Sequence, residues 1–359
     1  MKNKMYAVIM AGGGGTRFWP IGRKARPKQF LKVVGDDTLL GETIARILPI
    51  IPMEQIFIVT NVTQVHLVEE AVPEGFCKET ILPEPAARNT AACIGYAAKE
   101  IMSRYGDGLM CVLASDHYIG APEAFRATVF SALQTAEETD ALVTIGIRPT
   151  FPSTGYGYIK YASAGDNSDY KVPHDVEQFV EKPDVETAKA YIESGDFAWN
   201  SGMFFWRVGA VMEQYKALLP DITKLLDEIY DAKDRKEALF RIYPTIPSIS
   251  VDYGIMERAK NVKMHTGDFK WDDVGSFTAY ADLNEQDGDG NTVVGKACLL
   301  DSKNNICVGN EERLLALIGV ENLTVVDGGN ALLVCPTERL QEIRAMVDKL
   351  SKEGFEEYV

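Results

Sequence analysis

The chain has 359 residues, 46% hydrophobic and 25% charged, which suits one large core plus a small appendage and excludes a disordered or fibrous protein. Its formal net charge of −15 excludes a nonspecific nucleic-acid binder and a binder of anionic membrane surfaces, although a local basic pocket can exist inside an acidic protein. No apolar stretch approaches the roughly 18–20 residues that span a bilayer.

Lys2 and Lys4 ahead of Met5 to Ala11 mimic the start of a signal peptide, but that run is near the minimum length and a glycine motif begins inside it, so it reads as the first strand. Cys77, Cys93, Cys111, Cys298, Cys307 and Cys335 form no CxxC pair, and most fall in apolar strand or helix patterns. Free thiols and a cytoplasmic location are expected. His66, His117, His174 and His265 are scattered without metal-ligand spacing.

In chain order, Met5 to Ala11 reads as a fully buried strand, Leu40, Ile44, Ile47 and Leu48 as a helix, and Ile56 to Val59 as a strand. A helix with Asn89 as N-cap carries Ile94, Ala98, Ile101 and Met102; Leu109 to Ala114 follows as a strand, Ala124 to Glu137 as a helix and Leu142 to Ile147 as a strand. This alternation predicts an α/β fold on a mixed, mostly parallel sheet whose ligands sit beyond the carboxyl ends of the strands.

Residues 153–210, with strands Tyr156 to Tyr161, Val176 to Val180 and Met203 to Trp206 around a helix from Val185 to Glu193, suggest an inserted lobe. Residues 285–291 form a polar, flexible joint, which divides the chain into a catalytic domain over 1–285 and a small β-rich domain over 291–359, a short β-helix with a terminal helix. The joint resembles half an EF-hand loop, but Thr292 and Cys298 replace its glycine and glutamate, so no calcium is expected there. Beyond it run Val293 to Leu300, Leu314 to Val320, Leu323 to Val326, Ala331 to Val334 and a helix from Thr337 to about Ser351.

The most informative stretch joins Ala11, Gly12, Gly13, Gly14, Gly15, Thr16 and Arg17 to a Pro27-Lys28 pair. Glycines let the backbone leave the strand through conformations with φ > 0 and turn bare amides toward an anion. Arg17 and Lys28 add a forked cation and a point cation. The spacing fits neither the P-loop nor the dinucleotide fingerprint.

Gly-Gly-Gly-Gly-Thr-Arg-Phe-Trp-Pro followed by Arg-Pro-Lys-Gln-Phe-Leu resembles the signature of the sugar-1-phosphate nucleotidylyltransferases and, among them, the mannose-1-phosphate guanylyltransferases, whose loop usually has Ser where this chain has Gly14. The resemblance implies a Rossmann-like nucleotidyltransferase fold and covers several further islands. Asp116, after a buried-type strand, and Asp273, in Trp-Asp-Asp-Val-Gly-Ser, match the family's metal ligands, which suit Mg2+ because it keeps waters and takes phosphate oxygens for the rest of its shell. Glu84, Arg88, Asn89, Thr90 and Ser115 join the glycine loop as nucleotide-binding residues. By the same resemblance Tyr156, Gly157, Glu181, Lys182, Asn200 and Gly202 are assigned to the sugar phosphate, which makes the inserted lobe over 153–210 a sugar-binding one.

The expected reaction transfers GMP from GTP to mannose 1-phosphate, giving GDP-mannose and pyrophosphate, with Arg17 and Lys28 as catalytic cations. The expected partners are those two substrates and a second copy of the chain in a homodimer, with no nucleic acid and no membrane. Some members carry a fused isomerase domain, for which this length leaves no room. The C-terminal region is expected to contribute no catalytic residue. Two rival readings are a nucleotidylyltransferase for another nucleotide and hexose, and a noncatalytic sugar-nucleotide sensor that should have lost a metal carboxylate or Lys28.

Overall fold

The computed structural model describes residues 2–162 and 169–359. It divides into two compact units, the first formed by Met1–Gly12, Ile44–Ser115 and Ile119–Trp271, the second by Gly13–Thr43, Asp116–Tyr118 and Asp272–Val359. The glycine loop and the Asp116 and Asp273 segments therefore fold with the C-terminal strands, whereas the linear pattern groups them with the N-terminal part.

The first unit is built on β1 (Met5–Ala11), β2 (Ile56–Asn61), β3 (Ile81–Glu84), β4 (Leu109–Ala114), β6 (Leu142–Ile147), β7 (Tyr158–Tyr161), β8 (His174–Val180), β9 (Phe197–Arg207) and β10 (Val262–Gly267). These form one nine-stranded sheet in the order β3-β2-β1-β4-β9-β6-β10-β8-β7. Two-residue strands β5 (Tyr118–Ile119) and β11 (Trp271–Asp272) fall where the chain passes from one unit to the other. β1, β2, β3 and β4 pair in parallel, as do β6 and β10, while β9 inserts antiparallel between β4 and β6. The strands expected to stand apart as a lobe thus belong to the main sheet. β9 lies in its middle.

The helices are α1 (Leu39–Ile47), α2 (Val65–Ala71), α3 (Asn89–Tyr105), α4 (Pro122–Thr139), α5 (Val185–Ser194), α6 (Val208–Leu218), α7 (Pro220–Asp231), α8 (Arg235–Ile242), α9 (Phe277–Asp282) and α10 (Ile343–Lys352). In the first unit's core, Ile94, Ala98 and Ile101 of α3 are buried with Val8, Val112, Trp206 and Tyr215, while Met102 turns outward. Burial at helical spacing on α3 and on both faces of β1 is what covers a parallel sheet.

In the second unit the C-terminal strands are β12 (Thr292–Val294), β13 (Ala297–Leu300), β14 (Ile306–Val308), β15 (Leu315–Ile318), β16 (Leu323–Asp327) and β17 (Leu332–Pro336). β12, β14 and β16 stack in parallel, β13 pairs in parallel with β15, and β17 closes antiparallel on β16. Alternate strands pairing with the next but one is the coil of a short β-helix. Its turns are held by asparagines: Asn291 Oδ1 accepts from the Asn305 backbone N at 3.0 Å, and Asn305 Oδ1 from Leu323 N at 2.9 Å. The joint over 285–291 is closed rather than open, because the Asp287 carboxylate accepts from the amides of Asp289 and Asn291 at 2.9 and 2.8 Å.

Phe18, Trp19, Leu31, Val33 and Leu39, all just beyond the glycine loop, share one buried cluster with Val274 and Phe277 and with Ile306, Val308, Val326, Ile343 and Val347. Phe18 and Phe277 lie 5.0 Å apart between ring centroids. Trp19 Nε1 donates to the Tyr358 carbonyl at 2.6 Å. The loop that leaves β1 is therefore seated on the β-helix and on α10. Ile343→Ala, at a 4% exposed position, is expected to cost about 2–5 kcal/mol in urea unfolding, and an unchanged midpoint would contradict this seat.

Candidate functional site

Within the second unit a cleft of about 430 Å³ is lined by Gly13 to Phe18, Lys28, Asp116, His117, Asp273, Gly275 and Arg344. The Lys28 ammonium organises it. It lies 2.9 Å from Asp116 Oδ2 and donates to the carbonyls of Asp273 at 2.5 Å and Val274 at 3.2 Å. One cation thus ties together three segments far apart in sequence, with its own side chain only 11% exposed. Burial pushes the Asp116 carboxyl up, but Lys28, with His117 beside it, outweighs burial and holds the group below its ordinary value.

The backbone around the clamp is constrained. Gly15 has φ 59°, and a Cβ there would come within 2.7 Å of Lys28 N and Pro27 Cα. Gly14 is different: a Cβ would meet nothing within 4 Å, so the serine usual at this position in the resembling family is accommodated. Val274 adopts φ 47° although it is β-branched. It is fully buried, its N–H donates to Asp272 Oδ1 at 2.6 Å and its carbonyl accepts from Lys28. At Gly275 a Cβ would press to 3.0 Å from Asp273 Oδ1, so glycine there leaves room for that carboxylate.

Arg17 and Arg344 are both exposed on this cleft, and their guanidinium groups have no hydrogen bond or ion pair among the described residues. The neighbouring Arg23 donates through Nε to Pro20 O at 2.9 Å and through Nη2 to Asn330 Oδ1 at 2.5 Å, and Arg26 through Nε to Phe30 O at 3.5 Å. Arg344 brings the C-terminal region, expected to contribute no catalytic residue, to the lining of this cleft. It sits near the start of α10, in a pattern that reads as an amphipathic surface helix, and only the packing of α10 on residues 16–18 brings it to the cleft.

The donor set suits a hard divalent cation. Asp116 is kept ionised, Asp273 lines the same cleft, and both offer oxygen; a metal with few protein ligands would complete its shell with phosphate and water. No group of three or more acidic, histidine or cysteine side chains placed to hold a metal occurs among the described residues.

Other assigned residues lie in the first unit. The Ala11 carbonyl accepts from Thr60 Oγ1 at 2.9 Å and the Ser115 amide donates to Met10 O at 3.2 Å, which fixes the ends of β1 and β4. A Cβ on Gly12 would lie 3.9 Å from Glu84 Oε2. Glu84 is buried, takes a short hydrogen bond from the Tyr243 hydroxyl, and is pushed up to about 7 by burial against that bond's opposing effect. Arg88 donates to the Pro244 carbonyl, while its Nε is buried without a partner among the described residues. Asn89 is not the preceding cap but the first residue of α3, left-handed at φ 64°, with Oδ1 accepting from Thr90 N at 2.8 Å. Thr90 Oγ1 accepts from Val251 N at 2.8 Å.

The sugar assignments gather into a second cluster. Asn200 N donates to the Gly157 carbonyl at 2.8 Å, a Cβ on Gly157 would approach Glu181 Oε2 to 2.7 Å, and Gly202 N donates to Asn200 Oδ1 at 3.1 Å. Lys182 pairs with Glu181 at 2.8 Å. Tyr156 precedes β7 instead of opening it and stacks edge-on against Trp199 and Trp271. Sequence reasoning missed Asp252, which accepts from Asn200 Nδ2 at 2.7 Å and whose carboxyl is raised by burial and by Glu181. It lies in a single wide turn, Asp252–Met256, with no motif to announce it.

Two family models match this chain, one described as nucleotidyl transferase over residues 6–290 and one as a mannose-phosphate isomerase/GMP-like β-helix domain over 295–350. The chain belongs to the nucleotidyl transferase family. Among curated relatives of this transferase, the xanthan biosynthesis protein XanB of Xanthomonas campestris pv. campestris strain B100 is 39% identical over 98% of this chain and 74% of its own length. The mannose-1-phosphate guanylyltransferase of Escherichia coli K12 is 37% identical over 99% of this chain and 76% of its own. A solved structure from Thermus thermophilus, described as a mannose-1-phosphate geranyltransferase, superposes with a TM-score of 0.87 at 33% identity, covering 97% of this chain and 99% of that one.

Two measurements check this geometry in the transferase. Gly15→Ala is expected to lower stability by more than about 1 kcal/mol, since both φ and space forbid the methyl group, whereas Gly14→Ser stays within about 0.5 kcal/mol; equal midpoints in urea would refute the distinction. For Glu84, a raised pKa means that the folded chain holds the proton more tightly than the unfolded one. Its contribution is fully present below about pH 4.5 and lost as pH rises to about 7, a span worth roughly 3 kcal/mol. Glu84→Gln should therefore gain stability over the wild type at pH 8 relative to pH 4.5, and a pH-independent difference would contradict the buried acid.

Proposed function

We propose that this chain transfers GMP from GTP to mannose 1-phosphate, forming GDP-mannose and pyrophosphate. The observation that carries the reading is the Lys28 clamp in a cleft that holds glycine-loop backbone, unpartnered guanidinium groups and two carboxylates. A phosphate oxygen of the sugar phosphate attacks the α-phosphorus; the new P–O bond forms as the bond to the bridging oxygen of the β-phosphate breaks, and pyrophosphate leaves with the electron pair. Such a transfer asks the protein for alignment and for neutralisation of charge, with no covalent intermediate.

Arg17 and Lys28 stabilise the charge, and the glycine-loop amides hold the phosphates. Asp116 and Asp273 would hold Mg2+, which when bound neutralises phosphate oxygens as a Lewis acid. Glu84, Arg88, Asn89, Thr90 and Ser115 serve the nucleotide. Asn200, Glu181, Gly157, Tyr156, Lys182 and Gly202 serve the hexose, with Asp252 holding the Asn200 amide in place. A cytoplasmic location and a homodimer complete the reading, the first supported by six free cysteines and the second by exposed Leu300 and Ile318 on paired strands. No helix among the described residues is long and apolar enough to cross a membrane.

A guanine site built for an O6 acceptor and N1 and N2 donors leaves buried groups unpaired with adenine, at about 1–3 kcal/mol each. A pyrophosphate-release assay across four nucleotides and several sugar phosphates is expected to favour GTP with mannose 1-phosphate by roughly a hundredfold in kcat/KM; comparable turnover of dTTP with glucose 1-phosphate would move the chain to another substrate pair. Asp116→Asn and Asp273→Asn should each lower kcat by about a hundredfold or more, with the double variant little worse than either, since ligands of one ion act as a unit. Full activity in either single variant with magnesium still required would sink their assignment.

A further inference from the structure

We infer that Arg344, on the closing helix of the β-helix, is a third phosphate-binding cation of the cleft beside Arg17 and Lys28, reserved for the terminal phosphates of the nucleoside triphosphate that leave as pyrophosphate. The inference rests on the nucleotidyl-transfer reading above. Its first support is position: Arg344 lines the cleft with Gly13, Gly14, Arg17, Lys28 and Asp116. The second is electrostatic. Lys28 contributes its charge, but its hydrogen-bond donors are taken by Asp116 and two carbonyls, and Arg17 is the only other unpartnered guanidinium on that cleft among the described residues. A triphosphate concentrates more charge on its β- and γ-phosphates than one exposed arginine neutralises, and a planar fork matches phosphate oxygens two at a time.

The third support is mechanical. Ile343 on one side of Arg344 and Val347 one turn on are 4% and 3% exposed, in the cluster that also buries Phe18 and Trp19. The arginine is thus carried by a helix fixed to the loop it serves, so its placement costs little at binding. Phosphate oxygens are the only ligand chemistry this requires. GDP-mannose keeps the α-phosphate and the sugar's own phosphate, and neither is a terminal phosphate of the triphosphate.

The test uses the full chain with Arg344→Ala and Arg344→Lys, with turnover assayed in both directions. The expected result for Arg344→Ala is a KM for pyrophosphate in the reverse reaction, and for GTP in the forward one, raised about tenfold or more, while KM for GDP-mannose and the urea midpoint stay within about twofold and 0.5 kcal/mol of wild type. Arg344→Lys should recover part of the loss. An unchanged KM for pyrophosphate, or an equal rise for GDP-mannose, overturns the assignment. Should the wild type make no GDP-mannose at all, the functional reading falls, yet calorimetric titration with magnesium pyrophosphate still decides Arg344: affinity reduced about tenfold in Arg344→Ala upholds it, and equal affinity overturns it.

Discussion

Everything in the cleft depends on one buried ammonium. Lys28 meets a carboxylate from the segment after β4 and two carbonyls from the segment after β11, and its short hydrogen bonds leave little freedom to any of the three. A lysine so engaged is less a free cation than a rivet. It keeps Asp116 ionised against burial, and it satisfies the carbonyls of a left-handed valine segment whose own conformation is unfavourable. Remove the ammonium, and a half-buried carboxylate loses its partner while two carbonyls lose theirs, which costs more than any single surface ion pair returns.

Strain and support are matched around that rivet. Val274 in a left-handed conformation costs of order 1–3 kcal/mol, and the segment tolerates it because Asp272 binds its N–H, Lys28 its carbonyl, and its side chain sits in the cluster shared with Phe18 and Phe277. Gly15 and Gly275 remove the two Cβ atoms that would collide with Lys28's backbone and Asp273's carboxylate. The consequence is a loop held in its backbone conformation by its own neighbours. A β-helix beneath the loop supplies the stiffness, since its coiled strands and asparagine-held turns bury Ile306, Val308 and Val326 directly in the loop's own cluster.

The parts of this arrangement that sequence makes legible are the local ones. A run of apolar residues breaking into four glycines, an arginine and a Pro-Lys pair announces its chemistry within about 25 residues because strand, turn and cations are covalent neighbours. Asp116 reads toward a crevice from its place directly after a buried-type strand, and resemblance to a family adds Asp273; both line the cleft. The central place of β9 was not legible, because strand alternation says nothing about which partner an antiparallel strand chooses. The helices α6, α7 and α8 and the turn holding Asp252 escaped for lack of motif, and Arg344 escaped because its meaning is tertiary: in sequence it is one arginine on an amphipathic helix.

The cluster around Asn200, proposed for the hexose, owes its chemistry to burial and mutual charge more than to composition. Asp252, Glu181 and Glu257 repel one another enough that burial and mutual charge raise both Asp252 and Glu257. Three crowded carboxyl groups would turn away a second anion but welcome hydroxyl donors, and Asn200, held by Asp252, presents an amide whose donor and acceptor ends are both orientated. A hexose offers hydroxyls to such groups and carries its negative charge only on its phosphate. On the proposed reading its phosphate would need cations, and the one lysine of this cluster, Lys182, is already paired with Glu181.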